Sequence, residues 1–136
     1  MRFGRGLVIL LFLLMSGNAA HAQPALIPMP SSVAWRDGNI ALGANTVVEG
    51  QGEAASTAAY LARELGLKLG GRGSSRILLA LVPATKIANP ESYHLRASGK
   101  EILIEASDSR GLFYGAQTLR QLVRETSGSR KVSMRR

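Results

Sequence analysis

The sequence predicts an α+β fold: a mixed, mostly antiparallel sheet with two helices packed on one face. Three observations predict it. Two segments repeat apolar residues at helical spacing, Glu53 to Leu65 and Asp108 to Val123. A third segment, Ser92 to Ala106, alternates apolar and polar residues around Gly99-Lys100, as a β-hairpin does. The overall order is strands, helix, strand, hairpin, helix, so two helices can cover one side of a sheet.

The elements follow in order along the chain. Leu26-Ile27-Pro28-Met29-Pro30 reads as an extended lead-in, because proline fixes φ and biases its predecessor toward extended geometry. Val33 to Trp35 reads as a short strand, Asp37-Gly38 as a hairpin turn, and Asn39 to Leu42 as the return strand. Thr46-Val47-Val48 follows as another short strand. In the first helix Ala58, Leu61, Ala62 and Leu65 share one face, Glu53 stands in the first turn, and Gly66 supplies the stop. Gly70 to Ser75 is a loop; it follows a helix and feeds a strand, the reverse of the order a phosphate cradle needs. Ile77 to Val82 is nearly continuous apolar sequence, which predicts a central strand covered on both faces. In the hairpin Tyr93, Leu95 and Ala97 oppose Ile102, Ile104 and Ala106 on the apolar side, and the turn begins with glycine. Asp108 or Ser109 caps the second helix, whose apolar stripe is Leu112, Ala116, Leu119 and Val123. Gly111 and Gly115 cost this helix about 1 kcal/mol each against alanine, which predicts close approach of its backbone to a strand.

The ends lie outside this domain. Arg2 and Arg5, the apolar run Leu7 to Met15, and Ala20-His21-Ala22 form a secretory signal cleaved after Ala22. The run is too short for a membrane-spanning helix, which takes roughly 20 apolar residues. The expected organisation is therefore a signal at 1–22, one domain at 23–125 and a disordered basic tail at 126–136. The product is expected to be exported, periplasmic or secreted, with no membrane association after cleavage. No cysteine is present, so disulfides, thiolate metal sites and cysteine nucleophiles are excluded.

The formal charge of +8 suggests a nucleic-acid binder, but its distribution does not. Six cations sit in the two ends, at Arg2, Arg5, Arg130, Lys131, Arg135 and Arg136. Between Gln23 and Glu125, 11 basic residues face 9 acidic ones, with no basic stripe on a structured face. No nucleic-acid partner is expected.

No catalytic, cofactor-binding or metal-ligating set is expected. His21 leaves with the signal, and His94 stands alone on the polar face of the hairpin. A triad would need His94, Asp37 or Asp108, and a serine in a nucleophile elbow, and Gly-x-Ser-x-Gly is absent. Paired carboxylates, the other route to hydrolysis, are not evident either, since the nine acids of this stretch are scattered. Glu53 and Glu64 belong to the first helix region and Glu101 and Glu105 to one strand face, all as surface charge. Trp35, Tyr60, Tyr93, Phe113 and Tyr114 are scattered through the elements at positions that favour packing over display.

Leu26-Ile27-Pro28-Met29-Pro30-Ser31-Ser32-Val33 and Gly38 to Leu42 resemble the opening of bacterial β-N-acetylhexosaminidases of glycoside hydrolase family 20. Tyr93-His94-Leu95, Ile102 to Ala106, and the most specific stretch, Gly111-Leu112-Phe113-Tyr114-Gly115-Ala116-Gln117-Thr118-Leu119-Arg120-Gln121-Leu122, are similar to the end of the same accessory domain. The resemblance runs from about Leu26 to Val123. It implies a sheet with two helices packed beside a (β/α)₈ barrel, where the substrate's own acetamido group acts as nucleophile and an adjacent Asp and Glu assist. It implies no metal and no organic cofactor. A barrel needs on the order of 250 residues, more than this chain holds, and the Asp-Glu pair has no counterpart here. The reading is a truncated, frameshifted or split gene product. Its expected role is the non-catalytic N-terminal domain of a β-N-acetylhexosaminidase, inactive alone, with an apolar patch where the barrel would sit. The alternative is a free-standing exported module that binds N-acetyl-sugar polymers; a third reading gives the basic tail an anionic surface to bind.

Overall fold

The structure, a computed structural model, describes residues 39–126 and 129–133. The signal, the proline-rich lead-in, Val33 to Trp35 and the Asp37-Gly38 turn lie outside the described residues. Among the described residues the elements are, in order, β1 (Asn39–Leu42), β2 (Thr46–Gly50), α1 (Ala54–Leu65), β3 (Lys68–Leu69), β4 (Ser75–Leu81), β5 (Tyr93–Ser98), β6 (Glu101–Ala106), α2 (Ser109–Leu122), β7 (Val123–Thr126) and β8 (Ser129–Ser133). They form a five-stranded sheet in the order β3-β2-β4-β6-β5 and a three-stranded sheet in the order β1-β8-β7.

The α+β architecture with two helices on one sheet face is as expected, but the strand directions differ. The larger sheet is mixed and mostly parallel: β2 pairs parallel with β3 and β4, β4 pairs parallel with β6, and only β5 and β6 are antiparallel. The cause is connectivity. A 12-residue helix joins β2 to β4, and a helical crossover returns the chain to run in the same direction. The β5–β6 hairpin then places β6, not β5, beside β4, which makes that pair parallel as well.

Alternation assigns the two faces of this sheet. Val48, Ile77, Leu79, Ile102, Ile104 and Ala106 point to the helices and are fully or almost fully buried. Against them pack Ala58, Leu61 and Leu65 of α1 and Leu112, Ala116 and Leu119 of α2. This continuous core drives the fold, because each large apolar side chain stabilises it by about 1.5–3 kcal/mol on burial. The residues between them, Leu78 in β4 and Leu103 in β6, face away from the helices and are only half-buried. The central position of β4 is therefore as expected, but full cover on both its faces is not found.

Helix ends follow local chemistry. Gly66 ends α1 in the left-handed region at φ +59°, and its N–H donates to Ala62 and Arg63 carbonyls, a conformation with no steric cost for glycine. Asp108, not Ser109, caps α2: it is extended, and its carboxylate accepts the Arg110 N–H at 2.9 Å. At the hairpin turn Gly99 has φ +58°, the sign primed turns need.

The tail expected to be disordered from 126 to 136 contains structure. Thr126 ends β7, and Ser129–Ser133 form β8 between β1 and β7, with Val132 opposite both Ile40 and Val123. Two strands with unsatisfied backbone groups favour a third strand between them, whatever its side-chain period.

Candidate functional site

The positions weighed for chemistry do not converge. His94 is exposed in β5 on the face away from the helices, with Glu105 opposite it in the pairing register. Glu105 instead accepts from Arg96, and next to it Glu101 holds Arg76 at 2.5 Å. Asp108 and Arg110 form a pair at 3.0 Å, and Glu64 and Arg120 another at 3.2 Å. Each of these four carboxylates thus has an arginine beside it. The Arg110 guanidinium and backbone N–H hold the Asp108 carboxyl below its usual 3.8. No group of three or more potential metal ligands occurs among the described residues. Asp37 and Trp35 lie outside them.

In the glycine-rich loop, two N–H groups donate inward to neighbouring carbonyls. Gly70 N–H bonds the Val48 carbonyl at 2.8 Å and Ser74 N–H the Asn45 carbonyl at 2.9 Å. An open groove of about 530 Å³ lies beside it, lined by Val47, Glu49, Arg72, Arg76, Lys100 and Glu101 among others. Its mixed charges, two of them already paired with each other, define no ligand.

The outer surface of the helix pair differs in kind. α1 and α2 run side by side, and three contacts at successive turns lace them together. The Tyr60 and Phe113 rings are 5.5 Å apart, Gln117 Nε2 donates to the Tyr60 hydroxyl at 2.9 Å, and Arg120 meets Glu64. Tyr114 lies 6.3 Å from Phe113, and the Arg63 guanidinium sits 5.7 Å from the Tyr60 ring centre. Phe113 is 41% exposed, one of two large hydrophobic side chains displayed among the described residues. The expectation that aromatic residues pack inward therefore fails for Phe113 and holds only partly for Tyr60 and Tyr114, which are half-buried.

The helical stripes carried this signal. Tyr60 precedes Leu61 by one position and Phe113 follows Leu112 by one, so each ring is turned about 100° from its buried stripe, toward the flank. By contrast, Tyr93 faces the core and its hydroxyl lies 2.6 Å from Thr118 Oγ1. Such a surface can adhere to another surface. Its functional groups are rings, an amide and ion pairs.

Residues 23–135 match the profile of Glycosyl hydrolase family 20, domain 2. Among solved structures, the fold is similar to part of a glycoside hydrolase family 20 exo-β-N-acetylglucosaminidase from Vibrio harveyi, with 26% identity and a TM-score of 0.67 over 84% of this chain and 18% of that one. It is also similar to part of the family 20 β-N-acetylhexosaminidase from Streptomyces coelicolor A3(2), at 28% identity and TM-score 0.62, covering 80% of this chain and 25% of that one. A third, the N-acetyl-β-hexosaminidase of Streptomyces plicatus, gives 27% identity and TM-score 0.60 over 79% and 24%. No match was found among curated proteins. The chain spans a quarter or less of the length of these solved enzymes. It belongs to glycosyl hydrolase family 20, as a form of that family's domain 2.

Proposed function

We propose that this chain is the non-catalytic N-terminal domain of an exported β-N-acetylhexosaminidase, built to flank a (β/α)₈ catalytic barrel. The parent enzyme hydrolyses terminal N-acetyl-hexosamine residues from glycans such as chitin oligomers or peptidoglycan fragments. The domain match over residues 23–135 carries the reading. The shared fold in the solved enzymes stands beside at least three times as much further chain, which supports a supporting part rather than a whole catalyst. The residues at 1–22 support export to the periplasm or beyond.

Two experiments test this. Sequencing the DNA downstream of this frame is expected to find a barrel with a neighbouring Asp and Glu; a downstream region without one contradicts the reading. The competing reading, a sugar-binding module, predicts retention of the mature chain on chitin. The Tyr60 and Phe113 rings are tilted by 44° to each other, a poor flat platform for a pyranose, so the account expects the chain to wash through.

A further inference from the structure

We draw no further inference here: the strongest candidate, the surface patch on the open face of the larger sheet where Leu78 lies opposite Leu103, flanked by the Arg76–Glu101 and Arg96–Glu105 ion pairs, carries nothing, because nothing in the structure shows what covers it.

Discussion

Gly115 stands where the α2 backbone crosses β6. A Cβ built there would come within 2.5 Å of the Ile104 Cγ2 and 3.2 Å of the Tyr93 ring. At Gly111 the obstacle is harder, because a Cβ would run into the Ser92 carbonyl, part of the backbone that also supplies the Pro90 carbonyl accepting the Gly111 N–H. Both glycines are poor helix formers, and this crowding is the reason they are there, a close approach the sequence implied without naming its partners. Gly115→Ala is expected to cost about 1–3 kcal/mol by overpacking, read as a lower urea midpoint with an unchanged slope. Gly111→Ala is expected to cost more, since a carbonyl cannot swing aside as a methyl can. Asp108 gives a second residue-scale prediction. Its carboxyl is held below 3.8 in the fold by its bonds with Arg110, so its stabilising effect is complete above that value. The effect is lost as pH falls through the lower, folded-state value. Asp108→Asn keeps a cap but removes this charge, so urea midpoints of the two proteins are expected to converge as pH is lowered from 5 to 2. Parallel curves would contradict the role given to Asp108. The exposure of Phe113 was legible only as an angle on a helical wheel, since a ring inside an apolar stretch reads first as core.

At the scale of elements, local pattern fixed what each segment is, and pairing across distance decided the rest. The β5–β6 hairpin was readable because alternation, a two-residue turn and a glycine all lie within fourteen residues. The helices were readable because each buries a stripe against the sheet. The strand directions are set by the crossover through α1, which brings β4 back parallel to β2 and leaves no local pattern in either strand. The strand β8 left no local trace at all. Ser129–Ser133 lack an apolar period, and their pairing with Asn39–Leu42 spans nearly the whole described chain. Ending the chain at Thr126 therefore removes the strand between β1 and β7. It is expected to lower the melting temperature by several degrees, at about 4–8 °C per kcal/mol for a domain of this size. An unchanged melting curve would favour the disordered tail that composition suggested.

For the molecule as a whole, the core and the surface divide the labour. One continuous apolar core is shared by both helices and the larger sheet. Four of its surface carboxylates, Glu64, Glu101, Glu105 and Asp108, are each paired with one arginine. The helix face carries rings at its centre and ions at its edge, the features of an adhesive surface. What sequence could say about function came from residue types and from family resemblance. What it could not say was which face is free, because that depends on how the two helices settle on the sheet. The most direct measurement is the turnover of a chromogenic β-N-acetylglucosaminide by purified residues 23–136, made in a host lacking hexosaminidases. The account predicts a rate indistinguishable from buffer. Sustained hydrolysis that co-elutes with the folded domain would contradict it.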